Sequence, residues 1–314
     1  MTDLANAFKH FHPFTALVIG DFFFDTYITG RVKRISPEAP VPVLEVLKQE
    51  SRPGGAGNVV LNLAAIGAHV FAIGRMGHDA EGQQLKCRLQ ADGADVSAFV
   101  IQPAYQTPVK HRFIADSQQL LRVDFETVDP LPRELEEAVL LQLPSMIQRS
   151  QIVAISDYGK GFLTRHLISQ TIEMAKKAGV PVIVDPKGLD FTKYRHATVL
   201  KPNASEAYAA ANMASSSSLD AVAQHLLDLS QVDKLLITRS EAGMSLFESG
   251  KARKDFPVRS REVKDVTGAG DTVLSFICLA LANGLNVDEA AQLANIAACI
   301  SVERLGCVQV TLAQ

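Results

Sequence analysis

The sequence predicts an α/β fold: a mostly parallel sheet with helices on both faces, plus a small β lid over one end. Three observations carry this expectation. Short, nearly continuous apolar runs alternate with helical patterns of about 10 to 15 residues, as strands buried on both faces require. Polar residues collect just after five of those runs: Gly20-Asp21, Ser156-Asp157, Asp185-Pro186-Lys187, Lys201-Pro202-Asn203 and Thr238-Arg239-Ser240. That is the edge at which parallel sheets bind ligands. Two further segments break the alternation and read as extended pieces outside any βαβ series.

Taken in order, 16–20 is the first strand and 57–66 the first helix, opened by a glycine-rich turn. Strand 70–73 and a helix over 79–91 follow, then strand 152–156, a helix over 164–178 and strand 180–185. Strand 198–200, a helix starting near Ser205, helix 219–229 and strand 234–238 continue the series. Helices over 269–283 and 287–304 close it. Of the irregular segments, 41–47 sits among Pro37, Pro40 and Pro42 and suits an edge strand. Segments 107–112 and 120–125 flank a polar turn at 115–118 and read as a hairpin. We therefore expect one domain over 1–314, with β-lid segments inserted at about 31–50 and 105–126. The lid strands have open edges, and pairing them across a two-fold axis predicts a homodimer.

A net charge of −3 with only short basic clusters gives no footprint for nucleic acid or a polyanionic partner. Cys87, Cys278, Cys299 and Cys307 lack any C-x-x-C spacing and read as buried free thiols of a reducing compartment. The N-terminal stretch mixes Asp3, Lys9, His10 and His12 with single apolar residues, unlike a signal peptide. The longest apolar run, 273–282, is far short of the ~20 residues of a membrane span. These features predict a cytoplasmic protein with small-molecule ligands and no membrane partner.

The most specific motif is Asp265-Val-Thr-Gly-Ala-Gly-Asp-Thr272, set immediately before a helical apolar run. Unpaired N–H groups at a helix start, together with the helix dipole, favour an anion, and small residues let the backbone approach it. An aspartate in the first turn then stands ready to take a proton from an attacking hydroxyl. That combination predicts phosphoryl transfer to an alcohol. A carboxylate at a helix N-terminus should itself be a weak base. Gly54-Gly-Ala-Gly-Asn58 opens the first helix, either as a tight turn or as a close backbone approach to a polar ligand. Its spacing is not G-x-G-x-x-G, and no G-x-x-x-x-G-K-[ST] occurs in the chain, so dinucleotide and P-loop sites are disfavoured.

These two glycine motifs, with Lys201-Pro-Asn-Ala-Ser-Glu206 and Thr238-Arg-Ser-Glu-Ala-Gly243 between them, resemble the ribokinase (PfkB) family of carbohydrate kinases over essentially the whole chain. The resemblance implies the ribokinase-like fold, ATP and Mg²⁺ as cofactors, and K⁺ as a further candidate. It makes Asp271 the base and places the backbone of Gly268, Ala269 and Gly270 against the transferring phosphoryl group. Asn203 and Glu206 would organise Mg²⁺, partly through water, although both also read as a plain helix cap. Thr238, Arg239 and Gly243 would border the nucleotide phosphates, and Asn295 the adenine. Asp265 would order the loop or hold a monovalent cation.

Several stretches narrow the resemblance to family members that phosphorylate D-glycero-β-D-manno-heptose 7-phosphate on the path to ADP-heptose and lipopolysaccharide. They include Arg34-Ile-Ser-Pro-Glu-Ala-Pro-Val-Pro-Val43, Gln118-Gln-Leu-Leu-Arg-Val-Asp-Phe-Glu126 and Ser156-Asp-Tyr-Gly-Lys-Gly161. Asp21, Asp25, Gly55 and Asn58 would then contact the sugar, and Lys110, Arg112, Lys160 or Lys187 its phosphate; Arg34 is a further candidate. Such kinases are often fused to an adenylyltransferase, so a chain ending at Gln314 suggests a stand-alone kinase or an excised domain. A kinase for another sugar, or a silent sugar or nucleotide sensor, is the alternative. Phe22 to Phe24 and Cys307 depart from the family pattern; a small hydroxyl residue is expected at the latter.

Overall fold

The computed structural model describes residues 10–116, 118–258, 263–304 and 306–314. The chain opens with β1 (Thr15–Gly20), β2 (Phe22–Ile35) and β3 (Pro42–Gly55), and runs straight into α1 (Ala56–Ala65). Strands β4 (His69–Ile73) and β5 (Arg75–Gly77), helix α2 (Ala80–Ala91), and β6 (Val100–Gln102), β7 (Val109–Ala115) and β8 (Gln118–Phe125) follow. Helix α3 (Arg133–Gln148) leads to β9 (Ile152–Ser156), α4 (Arg165–Ala178), β10 (Val182–Asp185), β11 (Val199–Leu200) and α5 (Ala204–Ala210). The last third holds α6 (Leu219–Ser230), β12 (Lys234–Thr238), β13 (Met244–Phe247), β14 (Lys254–Phe256), α7 (Ala269–Ala282) and α8 (Val287–Val302).

The main sheet has the order β14-β13-β12-β11-β10-β9-β1-β4. It is parallel from β4 to β12, and antiparallel only at the β13–β14 edge. Alternation along the strands splits the core in two. Ala16 and Val18 pack with Val60, Leu274 and Ala294 of α1, α7 and α8, whereas Leu17 and Ile19 pack with Leu143, Ile168 and Leu226 of α3, α4 and α6. Burial on both faces is why these strands are almost wholly Ile, Val, Leu and Ala. Among the described residues no helix is long and apolar enough to cross a membrane.

A second sheet, β3-β2-β7-β8, stands beside the first. Its strands β2 and β3 pair antiparallel from Phe22↔Gly55 out to Ile35↔Pro42, and β7 joins β2 in parallel from Phe24↔Val109 to Gly30↔Ala115. This sheet begins at Phe22, not near residue 31, because the three consecutive phenylalanines are its buried root. Only Asp21 separates β1 from β2, and nothing separates β3 from α1. The root of the second sheet is thereby fixed at the carboxyl edge of the first.

Three features differ from the sequence pattern. Helix α3 runs through Pro144, a residue that normally ends a helical reading but here omits one N–H near the C-terminal end. The edge strands β13 and β14 are only four and three residues long and give little periodic signal. Cys87 is exposed on α2, against the expectation of four buried thiols, since it lies on the polar face of that helix.

Candidate active site

Helix α7 begins at the carboxyl edge, with Gly268 as its cap in the left-handed region (φ 80°). Asp265 shapes the preceding turn. Its Oδ1 accepts from Thr267 N–H (2.9 Å) and Thr267 Oγ1 (2.6 Å), and its Oδ2 accepts from Gly306 N–H (2.9 Å). Ala269 N–H is turned to Val266 O at 3.2 Å, so an anion here must rely mainly on the neighbouring N–H groups and the helix dipole. A Cβ added at Gly270 would make ordinary van der Waals contacts, with Lys201 Nζ at 3.6 Å and Asp185 Oδ2 at 3.8 Å.

In the first turn of α7, Asp271 is buried, and both its oxygens are held. Asn58 Nδ2 of α1 donates to Oδ2 at 2.7 Å, and the Tyr158 hydroxyl donates to Oδ1 at 3.0 Å. Burial pushes Asp271 up to about 7, helped by the nearby charge of Asp185; the two hydrogen bonds and Lys201 pull the other way. The expectation of a weak base is corrected on this point, because desolvation outweighs the favourable helix N-terminus.

The root of the second sheet supplies the facing wall. Asp21 Oδ2 accepts from the backbone N–H of Tyr158 (2.9 Å) and Lys160 (3.0 Å), while its Oδ1 is buried without a hydrogen-bond partner among the described residues. Burial, then the Asp157 charge, push Asp21 up to about 6. Gly55 (φ 57°) lets the chain turn here, where a Cβ would come within 2.5 Å of Asp21 O. Arg112 Nη2 lies 2.7 Å from Asp25. Lys110 and Lys160 are bridged by one carboxylate, Glu126, at 3.1 and 2.5 Å, with Asp124 also 3.1 Å from Lys110. Arg112 and Lys110, two apart on β7, share a face as alternation requires.

Past β10, β11 and β12 lies a polar cleft of about 290 Å³, lined by Asp157, Tyr158, Asp185, Lys187, Lys201, Asn203, Glu206, Thr238 and Gly270. Asn203 and Glu206 form a reciprocal cap at the start of α5, and Glu206 Oε1 also pairs with Lys187 at 2.9 Å. Lys187 therefore stands at this cleft and not at the β lid, because it follows β10. Both residues line the cleft, and their capping oxygens are already engaged with backbone N–H groups, which suits a hydrated Mg²⁺ more than a directly ligated one. Beyond it an apolar pocket of about 490 Å³ is lined by Thr238, Gly243, Met244, Val266, Val273, Asn295 and Ala298, among others. Asn295 donates to Pro257 O there (2.9 Å). Arg239 is instead tied to Ser245 Oγ and Asp255 by the short β12–β13 connection.

The sequence matches the description "pfkB family carbohydrate kinase" over residues 15–313. The chain belongs to that family of carbohydrate kinases. This carbohydrate kinase is 44% identical to the "Bifunctional protein HldE" of Geobacter metallireducens over 99% of its own length, and 42% identical to that of Geobacter sulfurreducens over 99%. It spans 64% of the length of each relative. Its fold is ribokinase-like: the phosphofructokinase-2 from Escherichia coli in complex with potassium superposes with a TM-score of 0.77 over 96% of both chains at 19% identity. The Arabidopsis thaliana ribokinase complexed with ribose and ATP gives 0.71 over 94% of both at 20% identity.

Tyr158, Asp185, Lys201 and Glu126 carry no role in the sequence reading. Asp185 and Lys201 stand at strand ends already marked by polarity, and are paired at 2.9 Å. Tyr158 and Glu126 lie inside recognised stretches, but only the folded contacts single them out.

Proposed function

We propose that this carbohydrate kinase transfers the γ-phosphoryl group of ATP to the anomeric hydroxyl of D-glycero-β-D-manno-heptose 7-phosphate, giving the 1,7-bisphosphate used for ADP-heptose and lipopolysaccharide core. One observation carries the reading. A buried, doubly held carboxylate, Asp271, separates a cleft with a helix-start anion cradle from a wall that carries Asp21 and the clustered cations Lys110 and Lys160. The acceptor hydroxyl gives its proton to Asp271 while the new O–P bond forms and the bond to the departing ADP breaks. Asp21, Asp25, Gly55 and Asn58 hold the sugar, and Lys110, Lys160 and Arg112 take its phosphate in place of Glu126 and Asp25. Asn203 and Glu206 would hold Mg²⁺, partly through water, and the ion would supply charge neutralisation on the nucleotide phosphates. Thr238 and Gly243 border those phosphates, Asn295 the base, and Asp265 orders the loop with K⁺ as a candidate occupant beside it. The reaction belongs to the cytoplasm, where ATP is available.

The test is ADP release with ATP and Mg²⁺ over a panel of sugars and sugar phosphates. Heptose 7-phosphate should turn over best, and replacing Lys110 and Lys160 by Met should raise its KM about a hundredfold while sparing ATP. Turnover with ribose or fructose and none with the heptose phosphate rejects the substrate assignment. A homodimer through the second sheet belongs to the same proposal. Ile35, Val46, Leu47 and Leu121 are exposed on those strands, and light scattering at micromolar protein should give twice the chain mass. A monomer mass removes that part.

A further inference from the structure

We propose that Tyr158 is a positioning residue for phosphoryl transfer: its hydroxyl, opposite Asn58, fixes the plane of the Asp271 carboxylate and favours its ionised form. The inference rests on reading Asp271 as the base. Tyr158 sits in the loop after β9, the third strand in from the β4 edge, and reaches Asp271 Oδ1 at 3.0 Å. Its backbone N–H holds Asp21 Oδ2 at 2.9 Å. One residue thus fixes both the carboxylate proposed to bind the acceptor and the one proposed to take its proton. The ring is itself held, with Phe23 of β2 packed edge-on at 5.3 Å between centroids.

The groups facing Asp271 come from five segments. They are Asn58 of α1, Tyr158, Asp185 after β10, Lys201 after β11, and Cys307 near the C-terminus. Of these, only Asn58 and Tyr158 donate hydrogen bonds to the carboxylate. Burial and the charges of Asp271 and Asp185 hold the Tyr158 phenol well above its usual range, so it stays a donor. The Cys307 thiol is likewise pushed up to about 12 by burial and brings no charge. Two donors on two different oxygens leave each oxygen one lone pair, which limits where an incoming hydroxyl can be met.

Tyr158→Phe keeps the ring and removes the donor. The acid limb of kcat/KM for heptose 7-phosphate should move up by about one pH unit. Turnover should fall about five- to tenfold at pH 6 to 7 and recover by pH 9, with the KM for ATP unchanged. Replacing Tyr158 with 3-fluorotyrosine, a stronger donor of nearly the same shape, should move the limb the other way, which decides the matter if the Phe variant folds poorly. Infrared titration of the Asp271 carboxyl in the ligand-free protein, assigned with Asp271→Asn, should show the same two shifts without any acceptor. An unmoved limb and an unmoved carboxyl titration, with or without a uniform loss of rate, overturn the inference and leave Tyr158 a packing residue. If Asp271→Asn itself remains active, the base assignment fails instead, and the two failures are told apart.

Discussion

Asp271→Asn should abolish turnover, with kcat falling about a thousandfold or more, while ATP still binds. The substitution is nearly isosteric, and an asparagine at this point can still meet Asn58 and Tyr158. It cannot take a proton. The loss should therefore appear in kcat and not in nucleotide affinity, because the Asp271 side chain does not line the apolar pocket and the Asn203–Glu206 cap lies on another element. Single-turnover kinetics alongside calorimetric titration of ATP separate the two quantities. Full activity in this variant would show that another group accepts the proton.

Gly268→Ala should cost about a hundredfold in kcat together with some stability. At φ 80° an alanine pays roughly 1–2 kcal/mol for its backbone conformation alone. Its methyl group would then sit 2.9 Å from Asn58 Nδ2 and 3.1 Å from Cys307 Sγ. Asn58 is the closer donor to Asp271, so pushing it aside tilts the carboxylate as well as crowding the turn. Displacements of that size near a reacting centre carry effects of about two orders of magnitude. Steady-state kinetics and thermal unfolding of one preparation check both parts. A variant with wild-type turnover would mean that the α1–α7 contact is not needed for the chemistry.

The main sheet was legible because each buried strand is a dense aliphatic run closed by a polar residue. For 152–156 and 234–238 the pattern and the structure end on the same residues. The second sheet was legible only at its outer end. Its root, Phe22 to Phe24, is uniformly apolar and lacks the alternation that marks a strand with one wet face, since all three side chains are buried. The helix starts of the site were visible through glycine and small residues, but what surrounds Asp271 was not. Asn58, Tyr158, Asp185 and Lys201 reach it from segments up to 213 residues away, and no local spacing encodes such a meeting. The weak-base expectation failed for the same reason: a sequence shows the helix end, and burial depends on everything packed around it.

The passage from β1 through the single residue Asp21 into β2, and from β3 directly into α1, divides the labour of the chain by position. The proposed acceptor wall is drawn from residues 21–58 together with β7, β8 and Lys160, whereas the proposed donor side is drawn from residues beyond 200. Selection can therefore revise which sugar is admitted while the phosphate-handling half is inherited unchanged. Asp271, placed where the two halves touch, is the part that every such revision must leave alone.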